Sequence, residues 1–243
     1  MHEGIPHPPT VVLVHGAFTG SASWSGVIER LSDRSIDAVA VANPLRGIGN
    51  DAAYVNDVIA SLERPVVLVG HSYGGMVVTE AAAANPAVTG LVYVCAFAPD
   101  HGESAFALST KYPGSTLGQA LKTYPLSTGD NEFAIFGDHY HQQFCADVPM
   151  AQAAVMAATQ RPVTESALTQ GLPTETPAWR HLPSWFVIGE ADRNIPAELQ
   201  RFMALRANAK GIRQVPGGSH ALSVSHAGCV CTSICEALGL PTA

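Results

Sequence analysis

Ser72, in the run Gly70-His71-Ser72-Tyr73-Gly74-Gly75, is the residue of this sequence best placed to do chemistry. Four apolar residues, Val66-Val67-Leu68-Val69, precede the run, and an Ala- and Val-rich stretch at helical spacing follows from Met76 to Ala84. A serine on a tight strand-to-helix turn sits in strained backbone geometry, with Oγ pushed out above the sheet. Gly70 and Gly74 flank it because side chains there would collide with the neighbouring strand and helix. The serine then stands at a helix N-terminus, where N–H groups and the dipole favour developing negative charge. A bare G-x-S-x-G spacing arises often by chance, and a structural serine in a glycine-rich turn is the plain alternative. The seat between a strand and a helix is what raises Ser72 to a candidate nucleophile.

Such a serine needs donors for an oxyanion, a general base, and a carboxylate to fix the base's tautomer. One donor is expected to be the backbone N–H of Tyr73. The second should come from a loop after a neighbouring strand, and Val11-Val12-Leu13-Val14 leads into His15-Gly16-Ala17-Phe18. Gly16 lets the backbone approach a substrate, and the Ala17 N–H is the expected donor. His15, at a strand end before glycine, reads as a prop for the loop, and His71 as a structural residue pointing away on the elbow.

Ten histidines compete for the role of base. Position favours His220, in the loop Gly217-Gly218-Ser219-His220 after the last expected strand, over His226 six residues later. His101, His139, His141 and His181 fall in or beside a long irregular segment and read as polar surface residues, one or two of which could line a pocket. The acid is expected at Asp192, in Gly189-Glu190-Ala191-Asp192-Arg193-Asn194-Ile195-Pro196, where Pro196 suits the first turn of the next helix. Asp100 and Glu190 are the alternatives.

Six short apolar, β-branched runs must position these groups: residues 11–15, 38–42, 66–70, 91–96, 185–189 and 211–215. Between most of them lie stretches at helical spacing, at 23–32, 52–62, 73–84, 197–207 and 223–238. That alternation predicts an α/β fold, a mostly parallel sheet of about six strands flanked by helices, with its site at the carboxyl ends of the strands. About ten residues precede the first run, so an antiparallel hairpin at the leading edge is not expected. The rhythm breaks once, between about 100 and 182, where Pro, Gly, Thr and aromatics dominate around short helices such as 150–159. An insertion of that length after the fourth strand reads as a helical lid. The expected organisation is a core of 1–99 and 183–243 with a lid of 100–182.

Composition narrows the class. The 243 residues are 47% hydrophobic and 14% charged, which describes a globular chain with a sizeable core. No apolar run reaches the roughly 18–20 residues of a membrane helix, and residues 1–9 show no leader pattern, so a cytoplasmic location is expected. A net charge of −7 argues against a nucleic-acid partner. Five cysteines, an odd number, suit reduced thiols; Cys229, Cys231 and Cys235 lack the paired spacing of a zinc site and read as buried small residues. No metal or organic cofactor is expected.

Taken together, His15-Gly16-Ala17-Phe18, Gly70-His71-Ser72-Tyr73-Gly74-Gly75, Gly189-Glu190-Ala191-Asp192 and Gly218-Ser219-His220 resemble the α/β-hydrolase superfamily. Within it the chain is most similar to small bacterial hydrolases related to plant methylesterases and hydroxynitrile lyases; Trp24 and Ala96-Phe97-Ala98-Pro99-Asp100 add to the likeness. The resemblance spans nearly the whole chain, is specific in the core and is loose in the lid. It implies the α/β-hydrolase fold and the chain order Ser72, Asp192, His220. In the lyases of this group a His-Thr pair ends the oxyanion strand and a lysine follows the histidine. Gly16 and Ala221 stand there instead, so no ammonium is placed to take up cyanide. Aspartate-nucleophile members of the fold are disfavoured by Ser72.

The expected activity is therefore hydrolysis of a small-molecule carboxylic ester or lactone through an acyl-enzyme, by a monomer or homodimer. Phe18, Phe106, Phe133 and Phe136 are candidates for an apolar pocket, with lid core as their alternative place. Cleavage of an amide, thioester or carbon–carbon bond by the same triad, or a ligand receptor built on this fold, remain as other readings.

Overall fold

The computed structural model describes residues 9–242; residues 1–8, most of the stretch read for a leader, lie outside them. Along the chain come β1 (Thr10–Val14), α1 (Ser25–Ser32), β2 (Ala38–Val41), α2 (Ile48–Leu62), β3 (Val66–His71), α3 (Gly74–Ala82) and β4 (Val88–Val94). The next segment carries α4 (Ala105–Ser109), α5 (Leu117–Ala120), β5 (Leu121–Pro125), β6 (Asn131–Ile135), α6 (Gly137–Phe144), α7 (Met150–Ala158), β7 (Val163–Thr164) and α8 (Glu165–Thr169). Then follow β8 (Ser184–Gly189), α9 (Ala197–Arg206), β9 (Gly211–Val215), α10 (Leu222–Ser225) and α11 (Ala227–Ala237).

The central strands are apolar at nearly every position because both of their faces are covered. Successive side chains on a strand point to opposite faces, and the packing follows that period of two. Val12, Val14, Val66, Leu68, Leu91 and Tyr93 enter one core with Val55 and Ile59 of α2 and Met76 and Val77 of α3. Val11, Leu13, Val67, Val69, Val92 and Val94 enter the other, against Val27 and Leu31 of α1 and Val230 and Ile234 of α11. Helices on both faces of a parallel sheet are the layer arrangement that such runs require.

The sheet order is β2-β1-β3-β4-β8-β9, with every neighbouring pair parallel. From β1 the chain crosses to β2 on one side; from β3, on the other side of β1, it builds outward to β4, β8 and β9. The loops leaving the carboxyl ends of β1 and β3 therefore diverge and leave a crevice, the place where ligands bind in open sheets of this kind. The register Val14↔Gly70 sets His15-Gly16-Ala17 beside His71-Ser72-Tyr73.

The six expected strands all form, and β2 and β9 are the edge strands among the described residues. Differences lie at helix ends and in the inserted segment. The helix α2 starts at Ile48, not 52, because the Asp51 carboxylate folds back to accept the Arg46 N–H, at 3.1 and 3.2 Å. The stretch 223–238 is two helices broken at His226, whose φ is −130°. Residues 100–182 hold more than short helices: β5, β6 and β7 form a three-stranded antiparallel sheet. The turn joining β5 to β6 places Gly129 at φ 89°, a conformation glycine adopts without strain. No helix among the described residues is long and apolar enough to cross a membrane.

Candidate active site

Ser72 is held at φ 54°, the left-handed region that a side chain rarely enters. Its N–H donates to the Val94 carbonyl at 3.3 Å, and its own carbonyl accepts from Gly75 and Phe97 at 3.0 and 3.2 Å, so three neighbours hold the strained turn. The turn fits because backbone passes where side chains would be: a Cβ on Gly74 would run into the Val14 carbonyl, and one on Gly16 would come 2.5 Å from Ser72 Cβ. Beside Ser72, neither the Ala17 N–H nor the Tyr73 N–H donates to a protein acceptor among the described residues. Buried N–H groups are nearly always paired. Two free donors flanking one hydroxyl are the arrangement an oxyanion requires. Phe18, at φ 61°, anchors the first loop: its N–H donates to the Arg161 carbonyl at 2.9 Å and its carbonyl accepts from Tyr140 Oη at 2.7 Å.

Asp192 and His220 come from the ends of adjacent strands, β8 and β9. His220 Nδ1 lies 2.7 Å from Asp192 Oδ2, with both side chains buried. The carboxylate is held from every side. Oδ1 accepts from the Asn194 and Ile195 N–H groups at 2.8 and 3.0 Å, and Oδ2 accepts from Gln200 Nε2 at 2.9 Å as well as from His220. A carboxylate accepting at Nδ1 places the imidazole proton there and leaves Nε2 as the basic nitrogen. Nε2 of His220 and Oγ of Ser72 carry no hydrogen bond among the described residues, and such bonds commonly tighten only when substrate arrives. The alternatives are committed elsewhere. Asp100 pairs with Arg180, Glu190 is exposed, and His226 Nδ1 bonds Ser225 Oγ at 2.9 Å.

His71 turns away from the cavity, as read from the sequence, yet it touches the site from behind. Its Nε2 lies 2.9 Å from the His220 carbonyl, and the two rings stand 4.8 Å apart. Burial and the neighbouring His220 hold the His71 imidazole neutral, well below its ordinary range, so Nε2–H donates to that carbonyl. His15 lies on the other side of the loop: Nδ1 is 2.9 Å from the Gly16 carbonyl, and Asn43 Nδ2 donates to the His15 carbonyl at 2.9 Å.

Burial lowers the His15 pKa from 6.5 to about 4. Between those values the unfolded chain binds a proton that the native chain refuses, so stability falls as pH falls through this window. The full gap corresponds to about 3 kcal/mol, of which about 2 kcal/mol is expressed between pH 7 and pH 5. His71 acts in the same direction, while the Asp51 carboxyl, raised by burial, opposes it. Urea unfolding at pH 7 and pH 5 should therefore show a marked acid loss that shrinks by about 2 kcal/mol in His15→Asn. An identical loss in the two proteins would remove His15 from the account.

A partly open cavity contains Ser72 together with Ala17, Tyr73, Phe18 and Phe106. Phe133 and Phe136 are not in its wall. Phe133 sits on β6, paired with Thr123 and Val163, and Phe136 is 43% exposed at the start of α6. The five cysteines are free thiols, and those of α11 form no metal-like cluster with other groups among the described residues. The cysteine nearest the site is Cys95, whose Sγ lies within 4.8 Å of the paired Asp192 and His220 atoms. Burial pushes its thiol well up, so it stays protonated.

The sequence model of the alpha/beta hydrolase family matches residues 11–230. The chain belongs to that family. A hydrolase from Aspergillus novofumigatus, the alpha/beta hydrolase nvfD, is 28% identical over 82% of this chain and 84% of its own length. The carbendazim hydrolyzing esterase of a Nocardioides species is 36% identical, over 41% of this chain and 47% of its own. Polyneuridine aldehyde esterase, a solved structure, superposes with a TM-score of 0.79 at 19% identity, over 94% of this chain and 98% of that one. The chain is thus a hydrolase with carboxylesterase-like relatives.

Several residues of this alpha/beta hydrolase site escaped the sequence reading. Asp51 of α2, fully buried, accepts from Tyr73 Oη at 3.0 Å and so braces the residue after Ser72. Asp147, in the inserted segment, accepts the Ser219 N–H at 3.1 Å, next to His220. Gln200, in the first turn of α9, donates from Nε2 to Asp192 Oδ2 at 2.9 Å. Only Gln200 carried a local signal, a polar residue at an inward position of an otherwise apolar helix face.

Proposed function

We propose that this chain is a serine carboxylesterase that cleaves small-to-medium apolar esters or lactones through an acyl-enzyme at Ser72. The supporting observation is the apolar cavity in which Ser72 Oγ stands beside the two unpaired N–H groups of Ala17 and Tyr73. His220 Nε2 takes the Ser72 proton as Oγ attacks the ester carbonyl, and Asp192 steadies the resulting imidazolium through Nδ1–H. The oxyanion forms against Ala17 and Tyr73. Collapse expels the alcohol, which receives the proton from His220. Water deprotonated by the same Nε2 then attacks the acyl carbonyl and frees Ser72. Residues 100–182 act as a lid on a core made of 1–99 and 183–243, with Phe106, 62% exposed, at the cavity rim. The lid is tied down beside the site through Arg161–Phe18 and Asp147–Ser219.

Stoichiometric labelling by a fluorophosphonate, followed by a screen of p-nitrophenyl esters of increasing chain length, tests this reading. One label per chain with an optimum at short-to-medium acyl chains is expected. Labelling without repeated turnover on any ester would instead indicate a receptor built on this fold.

A further inference from the structure

The loop that carries the Ala17 N–H is held from two sides. On the side of β1 the core holds it, through Asn43 Nδ2 donating to the His15 carbonyl at 2.9 Å. On the other side both backbone groups of Phe18 bond the inserted segment. The Phe18 N–H donates to the Arg161 carbonyl at 2.9 Å, and the Phe18 carbonyl accepts from Tyr140 Oη at 2.7 Å. No core group bonds the Phe18 backbone among the described residues. Phe18 stands at φ 61°, a strained conformation that persists only where its surroundings hold it.

The Tyr140 hydroxyl is fixed well enough to do the holding. Tyr140 and Phe144 lie four apart on α6 and so share a face of that helix. Their rings stack there, with centroids 5.0 Å apart and planes 23° from parallel. Tyr140 is fully buried, and burial pushes its phenol up, so Oη–H remains a donor. Phe144 in turn meets the His220 ring edge-on, with centroids 5.0 Å apart. One face of α6 therefore touches both the Ala17 loop and His220.

We propose that Tyr140 is a positioning residue: its bond to the Phe18 carbonyl holds the strained turn that aims the Ala17 N–H at the oxyanion. The inserted segment thus completes the oxyanion site from outside the sheet, an inference that rests on the esterase reading above. Without the hydroxyl the cavity keeps its shape, because the ring stays stacked on Phe144. What is lost is stabilisation of the transition state, which depends on donors already aimed at the developing charge.

The experiment compares wild type with Tyr140→Phe, per site titrated to completion with a fluorophosphonate. Measured are kcat and KM for p-nitrophenyl butanoate, the Ki of butyl trifluoromethyl ketone, and the Ki of the alcohol made by reducing that ketone. Ser72 Oγ adds to the ketone carbon, its proton passes to His220 Nε2, and the carbonyl oxygen becomes an alkoxide facing Ala17 and Tyr73. The alcohol fills the same cavity but forms no oxyanion. Removing an oxyanion donor outright costs about 10²–10³ in kcat, so a donor kept but loosely aimed should cost about tenfold. In Tyr140→Phe, kcat should fall by that factor with KM within about twofold. The Ki of the ketone should rise about tenfold while that of the alcohol stays within about twofold. Ketone and alcohol weakening together would mean a loosened cavity, and neither weakening a purely structural hydrogen bond; either result overturns the assignment. A Tyr140→Phe chain with no titratable site would overturn it as well, making the hydroxyl a requirement of folding. Wild type that turns over no ester of the screen above would instead overturn the esterase reading, and this inference with it.

Discussion

Ser72→Ala should lower kcat for p-nitrophenyl butanoate by at least about 10⁴-fold, because no other group can form the acyl intermediate. Ser72 is held at φ 54° by bonds to Val94, Gly75 and Phe97 that involve only its backbone. Alanine keeps all of these, and the cavity and the Asp192–His220 pair stay in place. The loss is therefore expected in kcat, with an unfolding midpoint close to wild type and no fluorophosphonate label. Residual catalysis of about 10³-fold over water can persist from the oxyanion donors and binding alone. Turnover within tenfold of wild type would sink the mechanism.

Asp192→Asn is expected to have the next largest effect, about 10⁴-fold in kcat near neutral pH. The surroundings dictate how the new amide must lie. The Asn194 and Ile195 N–H groups both point at the Oδ1 position, so the amide oxygen has to remain there. The NH2 then takes the Oδ2 position, where it faces Gln200 Nε2 and His220 Nδ1. Against His220 it can only donate, so Nδ1 becomes the acceptor and the ring proton moves to Nε2, the nitrogen that must be basic toward Ser72. Against Gln200 it sets two donors together, which costs about 1–3 kcal/mol of stability. The two effects are separable: kinetics reads the first and urea unfolding the second. A variant destabilised in urea but catalytically near wild type would keep Asp192 as a structural residue and exclude it from catalysis.

Much of the framework is legible along the chain because its determinants are local. A run such as Val66-Val67-Leu68-Val69 specifies a strand buried on both faces wherever it is placed, and the Gly–Ser–Gly turn after it needs only its own neighbours. Asp192 and His220 were readable for a related reason, since each lies in a loop just past such a run. The inserted segment was less readable. Leu121–Pro125 and Asn131–Ile135 alternate too weakly to mark themselves as strands, and only their pairing with each other and with Val163–Thr164 makes them so. Phe133 and Phe136 show the limit clearly. Both are aromatic and both lie in the inserted segment, but whether a phenylalanine faces the cavity depends on that pairing.

The Gly70–Gly75 run around Ser72 shows how the two sources of information divide. By itself the sequence determined that a serine stands on a strained turn between a strand and a helix, with a candidate donor, acid and base at the ends of other strands. Only the tertiary structure decided which strands are neighbours, that the Ala17 and Tyr73 N–H groups stay unpaired, and that His71 reaches the His220 carbonyl across 149 residues of sequence. The physical reason is range. Periodicity and turn chemistry are written within a few residues, whereas unpaired donors and long-range hydrogen bonds follow from partners that become neighbours only once the sheet has formed.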